Sequence, residues 1–158
     1  MTRDAPRHTV RRAGVADVEI IGRLLHDFNT EFDEITPGPE ALADRVRELL
    51  AGDDFIVLLA GDEPRGLAVL RLRPSIWTQG LECYLAELYV QPEHRRRGLG
   101  RALMTATLHT AGDRGADYIE VATSEDDVAA RALYEQFGFI NRERGPDGPV
   151  MFVYEREL

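Results

Sequence analysis

A basic loop with two glycines, placed between a strand and a helix, constrains this chain more than any other feature. Aromatic and aliphatic side chains favour a strand over residues 81–90, and from Leu99 onward apolar residues recur at helical spacing. Glycine lets a ligand approach the main chain, and the first N–H groups of a helix have no intrahelical partner. The loop therefore predicts a site for an anion such as a diphosphate. Its sequence is Arg95-Arg96-Arg97-Gly98-Leu99-Gly100, followed by Arg101.

Two common glycine-loop folds do not match this segment. A dinucleotide-binding fingerprint needs a third glycine or alanine where this chain has Leu103, and a Walker loop needs a lysine, which the sequence lacks. The formal net charge of −9 argues against general affinity for nucleic acids or anionic membranes, because both require a basic face. For the loop taken alone, a solvated arginine-rich turn is the other interpretation.

Apolar periodicity and turn formers predict one mixed α/β domain over residues 1–158. Helix starts are expected at Asp17, at Pro39, at Leu99 and at a capping-box-like pair formed by Ser124 and Asp127. Gly138 is expected to end the last helix. Strands are expected at residues 8–12, 55–60, 66–72, 81–90, 117–122, 139–142 and 150–155.

The single cysteine, Cys83, allows no intramolecular disulfide, so a reducing, cytoplasmic compartment is expected. No apolar run approaches the ~18 residues of a membrane span, and the first ten residues do not resemble a signal peptide. Cys83 has no recognisable catalytic partner, so a half-buried strand thiol is the preferred interpretation. No spacing of His, Cys, Asp and Glu indicates a metal site.

Two motifs together carry a family resemblance. Residues 85–100, Leu-Ala-Glu-Leu-Tyr-Val-Gln-Pro-Glu-His-Arg-Arg-Arg-Gly-Leu-Gly, resemble the central motif of the GCN5-related N-acetyltransferases, Arg/Gln-x-x-Gly-x-Gly/Ala. Residues 133–139, Leu-Tyr-Glu-Gln-Phe-Gly-Phe, resemble a second motif of that family, in the family's order and spacing. The resemblance implies a mixed central sheet of six to seven strands flanked by four helices. Its two central parallel strands splay apart so that acetyl-CoA enters between them.

The resemblance also assigns the cofactor contacts. The pantetheine is expected on the backbone near residues 88–90, and the pyrophosphate on the glycine loop. Asp127 departs from the family, which often has Asn there; an ionised Asp cannot donate a hydrogen bond, so capping of a helix is its other interpretation. The residues assigned to the cofactor are Leu88, Tyr89, Val90, Arg95, Arg96, Arg97, Gly98, Leu99, Gly100, Arg101, Asp127 and Tyr134.

For catalysis, the resemblance implies direct attack of an amine on acetyl-CoA in a ternary complex. Tyr134 is expected as the general acid for the coenzyme A sulfur, and Glu87 as a general base acting through water. The alternative for Tyr134 is a packed core position on its helix. The alternative for Glu87 is an outward-facing acid paired with an arginine.

An acidic stretch between the first two helices falls where the family usually forms its acceptor pocket. It suits a small cationic amine, although a solvated helix end is the other interpretation. Trp77 and Tyr84 are further candidates for the acceptor side or for the core. Protein N-termini, protein lysines and a catalytically inactive coenzyme A sensor stay open as alternatives, and a homodimer is frequent among relatives. The residues of the stretch are His26, Asp27, Glu31, Asp33 and Glu34.

Overall fold

Five strands form one sheet in the order β1-β2-β3-β4-β5 in the computed structural model, which describes residues 8–158. Neighbouring strands are antiparallel except for β4 and β5, which run parallel. The sheet belongs to the first of two compact units, which ends at Val121; the second runs from Ala122 to Leu158. The strands are β1 (Val10–Arg12), β2 (Phe55–Ala60), β3 (Gly66–Pro74), β4 (Leu81–Val90) and β5 (Ala116–Val121).

Two helices, α1 (Val18–Glu31) and α2 (Pro39–Leu50), cover one face of this sheet. As expected, α1 begins just after Asp17, whose carboxylate accepts hydrogen bonds from Gly14 N–H and from Arg11. The helices approach closely at Gly22, where a Cβ would lie 2.4 Å from the carbonyl oxygen of Pro39. Each large apolar side chain that this packing buries contributes about 1.5–3 kcal/mol relative to exposure.

A third helix, α3 (Leu99–Asp113), contacts the strands through its buried side chains, among them Leu103 and Met104. Fully buried strand residues such as Ile56 and Leu70 alternate with those facing α1 and α2, so they lie on the face that α3 covers. The sheet is therefore buried on both faces, which explains the continuous apolar run of β2.

In the second unit, α4 (Val128–Gln136) has a capping residue at each end. Asp127, rather than Ser124, is the N-cap, and its carboxylate accepts a hydrogen bond of 3.0 Å from Ala130 N–H. At the other end Gly138 has φ +85°, Phe139 N–H donates to Tyr134 C=O, and their rings lie 5.9 Å apart. This is a Schellman cap with its hydrophobic contact, so the Gly-Phe pair of the second motif has a physical reason.

The structure corrects the expected strand number, because the described residues form five strands instead of six or seven. Residues 139–142 and 150–155 contain no strand, and only an isolated bridge between Arg142 and Val150 joins them. A strand requires a ladder of hydrogen bonds in addition to favourable residue types. Phe152 and Tyr154 belong to a segment whose residue types favour a strand, but their side chains are 75% and 91% exposed. The first strand begins at Val10 instead of residue 8.

A search of the described residues finds no helix that is long and apolar enough to cross a membrane. Within that part of the chain no group of three or more His, Cys, Asp or Glu side chains could hold a metal ion.

Candidate active site

A β-bulge at Ala86 changes the direction of the side chains along β4. Val69 of β3 pairs with Glu87, whereas the next residue, Leu70, pairs with Leu85, so Ala86 is the extra residue. Directly paired residues lie on the same face of a sheet. Glu87 therefore shares the α1/α2 face with Val69, while Leu85 lies on the α3 face with Leu70. Without the extra residue, Glu87 would lie on the same face as Leu85.

The parallel pairing of β4 with β5 covers only the first half of β4. It ends at the pair Leu85 and Val121, so residues 86–90 of β4 extend beyond the end of β5. On the other side, these residues continue to pair with β3 as far as Val90 and Gly66. On the edge that faces away from β3, residues 86–90 therefore have no ladder partner in β5, which matches the expected divergence of the two parallel strands.

The glycine loop has the conformation of an anion site. Gly98 is the N-cap of α3 in the left-handed region, with φ +88°, and Arg96 also has a positive φ of 60°. Ala102 N–H makes the first hydrogen bond of the helix, 3.0 Å to Gly98 C=O, so the helical N–H groups before it have no acceptor within the helix. The positive end of the helix dipole adds to this, and a diphosphate fits such a terminus.

A residue that sequence analysis did not select holds the loop from outside. His8 donates from Nε2 to the carbonyl oxygen of Arg97, and its ring lies 3.4 Å from the position that a Cβ on Gly98 would take. The two residues are 89 positions apart in the chain, so no local pattern could have indicated this contact.

Arg95 is held by contacts with α1 and β4. Its guanidinium donates two parallel hydrogen bonds of 2.7 Å to Glu31 of α1, and its Nε donates to Val90 C=O at 2.9 Å. It also lies over the ring of Tyr89, which stacks on Phe28 with centroids 4.9 Å apart. The geometry thus commits Arg95 to fixing the loop against α1. The exposed guanidinium groups nearer the helix start belong to Arg96, Arg97 and Arg101.

Glu87 has the properties of a general base. Its side chain is half-buried, and this burial raises its pKa, while the nearby positive charge of Arg71 lowers it. A carboxylate with a raised pKa is a stronger proton acceptor than an exposed one, and Arg71 still favours its ionised form. The arrangement suits proton removal near neutral pH.

Tyr134 is present as a neutral phenol. Burial, with a smaller contribution from the charge of Asp127, raises the pKa of its phenol to about 12. The hydroxyl group is therefore protonated throughout the physiological range. Asp127 itself is occupied as the cap of α4, where its second oxygen also accepts from Thr123.

The acidic stretch is only partly available for a cationic ligand, and His26, Asp27 and Glu31 lie within α1 instead of between the first two helices. Glu31 is paired with Arg95, and His26 is hydrogen-bonded to the hydroxyl of Thr36. Of the aromatic candidates, Trp77 is 83% exposed in the β3–β4 connection and is not a core residue, and Tyr84 is partly exposed on β4.

Cys83 is excluded as a nucleophile by its environment. Its side chain is 1% exposed, and burial raises the pKa of the thiol to about 11. The thiolate, which is the nucleophilic form, is therefore scarce at neutral pH.

Comparison with known proteins shows the family. A sequence model described as the acetyltransferase (GNAT) family matches residues 20–139. The thialysine N-epsilon-acetyltransferase of Caenorhabditis elegans is 29% identical over 121 residues, 75% of this chain and 74% of the relative. The aminoglycoside N(6')-acetyltransferase type 1 of Stenotrophomonas maltophilia is 31% identical over 144 residues, 86% of this chain and 88% of the relative.

Among solved structures, a protein from Arthrobacter sp. FB24 that is provisionally assigned as an acetyltransferase superposes with a TM-score of 0.89. It is 45% identical to this chain, and the match covers 99% of both chains. The chain belongs to the GNAT family of acetyltransferases. It is an acetyl-CoA dependent N-acetyltransferase.

Proposed function

We propose that this enzyme acetylates a primary amine of a small molecule, by direct attack on acetyl-CoA in a ternary complex. The observation that carries the proposal is Glu87, which the bulge at Ala86 turns onto the α1/α2 face in a half-buried position with a raised pKa. Two relatives whose names state their acceptors, thialysine and aminoglycoside acetyltransferases, act on amines of small molecules. This supports a small acceptor over a protein N-terminus or a protein lysine.

For the donor, we propose that the diphosphate lies on the loop formed by Gly98, Leu99 and Gly100, with charge from Arg96, Arg97 and Arg101. The main chain of residues 88–90 is the proposed contact for the pantetheine, because the edge of β4 extends there beyond β5. Arg95 contributes by holding the loop to Glu31. Asp127 contributes by capping α4, which carries Tyr134.

Acetyl transfer to an amine requires two proton transfers. An alkyl amine with a pKa of ~10 is mostly protonated at pH 7, and freeing its lone pair costs roughly 4 kcal/mol. We assign this deprotonation to Glu87, through water. Acetyl-CoA supplies an acetyl thioester. A bond forms between the acetyl carbon and the amine nitrogen, and the bond between that carbon and sulfur breaks. Tyr134 donates its hydroxyl proton to the leaving sulfur and regains one from solvent.

The test measures thiol release from acetyl-CoA over a panel of small amines, an N-terminal peptide and a lysine peptide. We expect turnover with small amines, and a rate for Tyr134→Phe about 100-fold lower with unchanged affinity for coenzyme A. Tyr154→Phe, which changes an exposed tyrosine of the same unit, is the matched control and keeps the full rate. Coenzyme A binding without turnover of any amine would instead indicate a sensor, and a preference for a peptide would indicate a protein acetyltransferase.

A further inference from the structure

A groove of about 340 Å³ lies between the end of α2, the start of β2 and the end of β3. Its size falls within the range of small-ligand pockets. Its apolar walls come from Leu49, Phe55 and Tyr84, and its charges from Asp54, Arg71 and Arg73. Sequence analysis assigned no role to Arg71 or to this groove.

Arg71 stands at the centre of one row of side chains that crosses three strands. It pairs directly with Phe55 of β2 on one side and with Tyr84 of β4 on the other. All three side chains therefore project from the α1/α2 face, and the guanidinium carbon of Arg71 lies 5.6 Å from the centre of the Phe55 ring. The row forms an aromatic and cationic floor for the groove.

The next row along the sheet contains Glu87. Val69 lies two residues before Arg71 in β3 and on the same face. It pairs with Glu87, because the bulge at Ala86 brings Glu87 onto that face. Arg71 and Glu87 are thus diagonal neighbours, a relationship that places residues about 7–8 Å apart in a sheet. Glu87, to which we assign the deprotonation of the amine, therefore lies one row along the same face from Arg71, outside the residues that line the groove.

The two arginines of the groove differ in whether a carboxylate already pairs with them. Arg73 is paired with Glu82 at 2.7 Å and with Glu120 at 3.3 Å. Arg71 makes no hydrogen bond or salt bridge with any residue that the structure describes, and its guanidinium is held in place by stacking on Phe55. Such a guanidinium is a bidentate donor for a carboxylate.

We propose that Arg71 binds a carboxylate of the acceptor, so that the substrate class is an amino acid that carries a second, side-chain amine. The inference rests on the proposed function, because it places the reacting amine at Glu87. The methylene groups between the two ends of the acceptor pass over Tyr84, which lines the groove on the β4 side of Arg71, and Asp54 offers an anion for the α-ammonium group. The Arg71 carboxylate site sets specificity and takes no part in the proton transfers.

The test compares acceptors that differ by a carboxylate: L-lysine against cadaverine, and L-ornithine against putrescine. For the wild type we expect kcat/KM to be at least about 10-fold higher for the carboxylated member of a pair, mainly through KM, as one charge-assisted interaction predicts. In Arg71→Gln this ratio falls to about 1, and Arg71→Lys retains part of it. Using the ratio within each variant cancels any change in the basicity of Glu87.

The control is Arg45→Gln, which removes an exposed arginine of α2 paired with Glu48 and is expected to leave the ratio unchanged. A wild type that prefers the diamines, or an Arg71→Gln variant with an unaltered ratio, overturns the carboxylate site while leaving the amine acetyltransferase intact. Absence of turnover with every amine contradicts the proposed function instead. Calorimetric titration of L-lysine and cadaverine into both proteins then decides the site, since equal lysine binding by wild type and Arg71→Gln overturns it.

Discussion

Arg95 and Glu31 are joined by two parallel hydrogen bonds, from Nη1 to Oε1 and from Nη2 to Oε2, each 2.7 Å long. They connect the loop before α3 with the last residue of α1. The two residues are 64 positions apart in the chain. The first arginine of the basic run is thereby held by a carboxylate, and its charge is compensated before any ligand arrives. We infer that loop position and ligand charge are supplied by different arginines.

This division of roles predicts how variants of the pair behave. We expect Glu31→Gln and Arg95→Gln each to lower the free energy of unfolding by about 1 kcal/mol, because the pair is partly exposed to solvent. We also expect the double variant to be non-additive, since both single changes remove the same interaction. Urea denaturation measures the stabilities, and calorimetry measures the affinity for coenzyme A.

For coenzyme A, the two single variants are expected to lose similar, modest affinity, because both release the same loop. A large loss in Arg95→Gln with normal binding in Glu31→Gln contradicts this interpretation, since it makes Arg95 a direct phosphate ligand.

A second prediction concerns Gly98. Its φ of +88° is a conformation in which a Cβ costs about 1–2 kcal/mol, so Gly98→Ala is expected to destabilise the protein and to weaken coenzyme A binding. Gly112→Ala in α3 is the matched control. No atom lies within 4 Å of its added Cβ, and alanine is favoured over glycine in a helix by up to about 1 kcal/mol. If both substitutions leave coenzyme A affinity unchanged, the loop is not the diphosphate site.

A third prediction follows from the direction of the Glu87 pKa shift. Burial raises its pKa in the folded protein above that of the unfolded chain, so the ionised form opposes folding. The stabilising contribution of the protonated form is full below the unfolded pKa and is lost as the pH rises through the folded pKa. Glu87→Gln is therefore expected to be more stable than the wild type at pH 7 and to lose that advantage in acid.

The same substitution is expected to remove the acidic limb from the pH profile of kcat/KM and to lower the rate. Thermal unfolding across the pH range and steady-state kinetics measure the two effects. Glu48→Gln, on the exposed side of α2, should change neither. An unchanged rate with the acidic limb still present shows that Glu87 is not the base.

A fourth prediction separates capping from cofactor binding at Asp127. Asp127→Ala is expected to lower stability by about 1 kcal/mol, because Ala130 N–H loses its acceptor at the start of α4. Asp127→Asn keeps a side-chain oxygen at the same position and is expected to retain nearly all of the stability. Unfolding by denaturant and titration with coenzyme A check this pair. A strong change of coenzyme A affinity in Asp127→Asn contradicts a purely structural role.

The sequence by itself determined those features that depend on neighbouring residues. Asp17 and Pro39 mark the two helix starts, and the apolar runs locate β2 and β4 with their observed limits. The left-handed Gly98 before α3 and the Gly138 cap of α4 also follow from local backbone chemistry. These signals were sufficient for the family and the donor, because a helix terminus and its glycines are contiguous in the chain.

The tertiary structure alone decided which side chains meet. The bulge at Ala86 turns Glu87 onto the α1/α2 face, the pair with Glu31 attaches Arg95 to α1, and the row across β2, β3 and β4 gives Arg71 its position. Likewise, strand composition at residues 150–155 did not produce a strand, since the single bridge from Val150 to Arg142 does not extend into a ladder. The physical reason is the same for these four observations. Strand register and ion pairing depend on residues that are distant in sequence, whereas helix caps and helical periodicity do not.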